Sequence, residues 1–274
     1  MQGNLLFVGC SHTNGFWGGR NKEGTLDKVT WDTNNYAEIY AEELADSQCY
    51  IYSSAGACNS KYPRWIRHML NTHKDVSGVV MQSTYWDRWV MSADMKQHHR
   101  ELDPGFFTKI EKTNDKVICY DDYNVDKDWH LVEWFEKIKW ESIGNYTEGC
   151  PEFNGGYEWI GFDTNYMHMK FHTDVTTHLT HETYCKDLCL IDLLCKEKGI
   201  PVYVWRINDK VDWPKNFNTY SNLSNTKVFS QSAENWINEH QGIDITKTQV
   251  DEEHYSVDSH KLIAHKFIPE LLND

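Results

Sequence analysis

Hydrophobic positions fall into two kinds of pattern along this chain. Leu5–Val8, Cys49–Tyr52, Gly78–Gln82 and Ile200–Trp205 are short and almost wholly apolar. Runs of that length closed by turn residues predict strands buried on both faces. Between them, apolar residues recur at helical spacing. Tyr36, Ile39, Tyr40 and Leu44 mark one helix, and Trp65, Ile66, Met69 and Leu70 a second. Leu188, Ile191, Leu194 and Cys195 mark a third, with Gly199 just past its end. Asn59 precedes the second of these and is placed to cap it. Thr226–Phe229 reads as a short further strand and Ala233–His240 as a short helix. A last helix from about Ser256 turns Leu262, Ile263, Phe267 and Leu271 toward the sheet. Short apolar strands alternating with helices predict parallel βαβ units, hence an α/β fold.

The interval at about 84–177 breaks this rhythm. It holds a tryptophan-rich stretch at Tyr85–His99 and an amphipathic stretch around Trp129–Ile143, both of which read as helical. Val117–Tyr120 reads as a strand, and a glycine- and aromatic-rich loop spans Gly144–Phe171. So long an interruption reads as a helical and loop insertion beside the active face, within a single domain spanning 1–274.

Composition narrows the function. At 40% hydrophobic the chain can build a core, and 41 acidic against 27 basic residues give a net charge of -14. That balance opposes nucleic-acid phosphate and anionic membranes as partners. No basic leader precedes the first strand and no apolar run reaches membrane-spanning length, which implies a cytoplasmic or otherwise intracellular protein. The eight cysteines contain no C-x-x-C and sit mostly within predicted elements, as buried thiols do. His168 with His172, and His178 with His181, would suggest zinc only on a suitable face. A glycine-rich lead-in argues against that for the first pair, so neither metal nor cofactor is expected.

The residues that carry chemistry lie at the two ends. Ser11 follows Gly9 at the exit of the first strand, where open α/β sheets place their ligands. A serine attacks only if a base takes its proton, and the base needs a partner that fixes its tautomer. Asp251-x-x-His254 supplies both types, with Asp258-x-His260 as a reserve pair. An acidic surface turn carrying a solvated histidine is the plain alternative. Cys10, beside Ser11 in an extended exit, is expected to face the core.

Gly9-Cys10-Ser11-His12-Thr13 resembles the first block of the SGNH/GDSL hydrolases, and Ala55-Gly56-Ala57-Cys58-Asn59 their glycine block. Asp251-x-x-His254, running into Ser256, His260 and Leu262-Ile263-Ala264, resembles their final block. The resemblance implies a three-layer α/β/α sandwich around a five-stranded parallel sheet of flavodoxin-like order. It also implies a catalytic triad of Ser11, His254 and Asp251, with the amides of Ser11 and Gly56 in the oxyanion hole. Two departures stand out. Cys10 replaces the usual aspartate, which is not the catalytic one. The third block, normally G-x-N-D, is here Met81-Gln82-Ser83-Thr84, so the third oxyanion donor falls to Gln82, Thr84 or Asn59.

An esterase follows, with an acetylated carbohydrate as the preferred substrate class. Trp17, Trp86, Trp89, Trp159 and Trp213 fall in or near segments expected at the active face, where aromatic planes suit a sugar ring. An O-acyltransferase using the same triad is one alternative. A non-catalytic carbohydrate-binding or assembly protein on the same fold is the other. Oligomeric state is not legible.

Overall fold

A computed structural model describes residues 3–14, 35–53, 59–84, 89–92, 116–120, 131–134, 174–209, 223–248 and 254–273, some of them by their backbone alone. Among them, strand β1 (Asn4–Gly9) leads into a single helical turn, α1 (Ser11–Asn14). Helix α2 (Tyr36–Glu43), strand β2 (Cys49–Ser53), a 3₁₀ turn (Asn59–Lys61), helix α3 (Tyr62–Thr72) and strand β3 (Val76–Ser83) follow. Next come β4 (Trp89–Ser92), β5 (Val117–Tyr120) and β6 (Leu131–Trp134). The long helix α4 (Asp174–Lys196), β7 (Val202–Arg206), β8 (Thr226–Val228) and α5 (Ala233–Gln241) come after them. The chain closes with α6 (Val257–Leu262), a π turn (Ile263–Phe267) and α7 (Ile268–Asn273).

Among the described residues the main sheet has six strands in the order β5-β2-β1-β3-β7-β8, and every pairing in it is parallel. Six replaces the five expected. Val117–Tyr120, inside the interval read as an insertion, pairs with β2 from Cys49↔Val117 to Tyr52↔Tyr120 and extends the sheet at that edge. The tryptophan-rich and amphipathic stretches also depart from expectation. Trp89–Ser92 and Leu131–Trp134 form a two-stranded antiparallel ribbon, not helices. Short apolar runs satisfy either period, and pairing with a distant partner decided between them.

The uninterrupted apolar runs are explained by burial on both sides of the sheet. Leu5, Phe7, Ile51, Val80, Tyr203 and Trp205 face one core. There they meet Tyr36 and Ile39 of α2, Ile237 of α5 and Ile263, Phe267 and Leu271 of the final helical stretch. The alternate residues Leu6, Val8, Tyr50, Tyr52, Val79, Met81, Val202 and Val204 face the other core, against Trp65, Ile66 and Met69 of α3 and Tyr184, Leu188 and Ile191 of α4. Each fully buried side chain of this size contributes about 2 kcal/mol, so a one-residue slip of a central strand would change both cores at once. The result is a three-layer α/β/α sandwich.

Local signals set the helix ends. Asn35 caps α2 by accepting from Ala37 N at 2.9 Å and Glu38 N at 3.0 Å. Gly199, at φ +67°, turns the chain out of α4 in the left-handed conformation that glycine adopts without strain. The π turn ends where Pro269 lacks an N–H to donate to a helical bond, and Ile268 N instead bonds Ile263 O.

From β1 the chain moves to β2 on one side, then crosses back to β3 on the other, with α2 and α3 on opposite faces. That reversal places a topological switch point at the carboxyl ends of β1 and β3, the position at which open α/β sheets bind ligands. Among the described residues no helix is long and apolar enough to cross a membrane. Among the described residues Cys10, Cys49, Cys185 and Cys195 are buried free thiols, as expected, whereas Cys189 is only half-buried. Burial pushes the Cys49 and Cys185 thiols up to about 11 and Cys195 to about 12.

Candidate functional site

The carboxyl end of β1 is held by a buried polar network. A side chain at Gly9 would put its Cβ 1.9 Å from Thr13 Oγ1, so only glycine lets α1 fold back this tightly. Thr13 N donates to Cys10 O at 3.0 Å. Thr13 Oγ1 donates its one proton to Gln82 Oε1 at 2.6 Å, which leaves Tyr36 as the donor in the 2.8 Å bond between their hydroxyls. Gln82 Nε2 in turn donates to Cys10 Sγ at 3.6 Å. Burial raises the Tyr36 phenol far above its ordinary value, so it stays protonated. This network ties β1, β3 and α2 together under the turn that Ser11 begins.

Three imidazoles converge on that turn. His12, 3% exposed, has its ring centroid 5.1 Å from that of His254 and 6.2 Å from that of His260. Tyr255 adds a ring 5.7 Å from His12, and its hydroxyl donates to Glu234 on α5. His260 is fully buried, stacked on Tyr36, and its Nδ1 accepts the Tyr36 backbone N–H at 3.1 Å. A nitrogen that accepts carries no proton, so the neutral ring is protonated at Nε2. Burial first, and His254 nearby second, lower His260 to about 3. Ser256, two residues after His254, caps α6 by accepting from Ser259 N. The residue entering the last helix thus lies against the residue leaving the first strand.

The expected site residues divide accordingly. The backbone of Ser11 opens α1 and is followed directly by His12, which meets His254. The Ser11 side chain, Gly56 and Asp251 lie outside the described residues, as do the side chains of Trp17, Trp86, Trp89, Trp159 and Trp213 and of the His168, His172, His178 and His181 pairs.

Asn59 does not cap α3. Its Nδ2 donates to Thr84 O at 2.8 Å and its Oδ1 accepts from Thr84 N at 2.9 Å, while α3 starts from Lys61 with no side-chain cap. A bidentate bond to the strand exit outcompeted the cap because the 3₁₀ turn moves the helix start three residues on. Gln82 is likewise engaged at both amide atoms and 1% exposed, and Thr84 is also buried. Two of the three side chains able to complete the oxyanion hole therefore serve internal bonds.

The reserve pair does not form. Asp258 is 88% exposed and lies 3.8 Å from Lys261, whereas His260 spends its acceptor nitrogen on Tyr36. A helix cannot turn residues two apart to the same side. Cys10 is buried in the core, as its place beside Ser11 implied. Among the described residues, no group of three His, Cys, Asp or Glu is arranged to hold a metal ion. His12 is a residue of the candidate site that no sequence signal marked. Its position next to Ser11 was visible, but no local pattern pairs it with His254.

No protein-family model matches the chain, and no curated protein matches it either.

Proposed function

We propose that this chain is a serine esterase on a flavodoxin-like SGNH/GDSL-type sandwich. The observation that carries the proposal is the meeting of His12 and His254 at the carboxyl end of β1. His254 lies against His12, the residue that follows Ser11 in the chain. The strand order is consistent with it: without the edge strand β5, the sheet runs second, first, third, fourth, fifth.

In the proposed reaction His254 takes the Ser11 proton as Oγ attacks an acyl carbonyl. The backbone amides of Ser11 and Gly56 hold the oxyanion, and Asp251 stabilises the imidazolium. The alkoxide then leaves with the proton from His254. Water, deprotonated by His254, attacks the acyl-enzyme and releases the acid and free Ser11. The commitment of Asn59 and Gln82 to internal bonds favours a second reading, a non-catalytic binding protein on the same fold.

One experiment separates them. A serine-directed fluorophosphonate is expected to label Ser11. On short p-nitrophenyl esters, Ser11→Ala and His254→Ala are expected to reduce turnover by roughly 10³-fold or more. Labelling elsewhere, or unchanged turnover in either variant, removes the esterase.

A further inference from the structure

We infer that Asn208 is a substrate-binding residue that hydrogen-bonds a polar group on the alcohol side of the ester, which makes the substrate a polyol or sugar ester and not a simple alkyl ester. The inference rests on the esterase reading and deepens it.

Asn208 lies two residues past the end of β7. Because Ser83 pairs with Arg206, that position is just beyond the exit of β3, on the same carboxyl edge as Ser11. Asn208 is 4% exposed, yet among the described residues its Oδ1 has no hydrogen-bond partner. A buried amide left unsatisfied is costly and rare, and a native one calls for an explanation.

Its surroundings do not let it relax. Ile207 O accepts the Glu234 N–H at 3.0 Å, while Arg206 holds Asp209 at 3.2 Å and Asp209 also accepts from Asn235. The turn is pinned on both sides of Asn208 without using its amide. Glu234 also accepts from Tyr255, whose ring contacts His12, so the same few contacts link this turn to the histidine cluster. Nearby amides do differ: Asn59 and Gln82 are both consumed by internal bonds.

Distance decides the role. Two strand spacings place β7 about 10 Å from β1. That is too far for Asn208 to share an oxyanion with the Ser11 amide, but suited to a hydroxyl across a sugar-sized alcohol. An amide that satisfies its own unpaired atom only on binding rewards a ligand that carries such a group and nothing smaller.

The test compares 6-O-acetylglucose with p-nitrophenyl acetate in wild type, Asn208→Ala and Asn208→Leu. Both variants are expected to lose about tenfold or more in kcat/KM on the sugar ester, stay within about twofold on the aryl ester, and keep fluorophosphonate labelling of Ser11. Asn208→Leu is also expected to raise Tm by about 2–4 °C, because it removes an unsatisfied amide at similar volume. A gain in stability with a selective loss of sugar-ester activity is a signature that a purely structural residue does not give. Equal loss on both esters, no loss on the sugar ester, or a fall in Tm for Asn208→Leu overturns the inference and leaves the esterase standing. Absence of Ser11 labelling and of Ser11-dependent turnover in wild type overturns both.

Discussion

His260 should make this fold acid-sensitive. Its ring is fully buried and accepts from Tyr36 N, so the folded protein holds it neutral down to about 3, against an ordinary value of 6.5. The lowered value means the unfolded chain binds a proton that the folded chain refuses. Stability from this group is therefore complete above pH 6.5 and is lost as pH falls from there toward 3. Each pH unit in that window costs about 1.36 kcal/mol, so acidification from pH 7.5 to 5.0 removes about 2 kcal/mol. Against a typical total of about 5–15 kcal/mol that is a large share. His260→Asn keeps an acceptor near the Nδ1 position but cannot titrate. Urea unfolding followed by tryptophan fluorescence, at several pH values across that range, should show wild type losing about 2 kcal/mol more than the variant. Contributions from the carboxylates and exposed histidines are common to both proteins and cancel. Parallel pH dependences would refute the burial of a neutral imidazole as the cause.

Two further outcomes follow from packing and burial. Gly9→Ala forces a methyl group to 1.9 Å from Thr13 Oγ1 and 2.9 Å from Gln82 Oε1, so thermal unfolding should report a loss of about 1–3 kcal/mol. Fluorophosphonate labelling should fall with it, because α1 must shift. Burial raises the Asp187 carboxyl from 3.8 to about 7, and its Oδ2 has no partner among the described residues. The raised value means its stability contribution is lost as pH rises from about 4 through 7. Asp187→Asn should match wild type near pH 4 and exceed it at pH 8, by about 1–2 kcal/mol once solvent screening is allowed for. Denaturant midpoints at the two pH values check the sign.

Much of the architecture was legible because burial on both faces writes itself into local sequence. The runs at Leu5–Val8 and Ile200–Trp205 admit little but a central strand. Helical spacing marked α2, α3 and α4, and Gly199 stands where the end of α4 needs it. Of the candidate site, two placements were legible: Ser11 at the exit of the first strand and His254 just before the last helical stretch. Short segments were where the reading failed. Trp89–Ser92 and Leu131–Trp134 satisfied a helical period locally, and only their mutual pairing made them strands. Asn59 looked like a cap because nothing nearby announced Thr84 as its partner, twenty-five positions on.

What the sequence determined by itself is thus the period and burial of the longer elements that pack on the main sheet, together with the chemical types at the ends of the chain. Those are properties of neighbours along the chain, fixed by backbone geometry and solvent exclusion. The folded structure alone decided strand order, the sixth strand at the β2 edge and the contact between His12 and His254. It also decided which amides are consumed, and it leaves the Asn208 Oδ1 without a partner among the described residues. Hydrogen bonds and ring contacts are short-ranged in space, and positions far apart in sequence acquire them only when the sheet brings its strand exits to one edge.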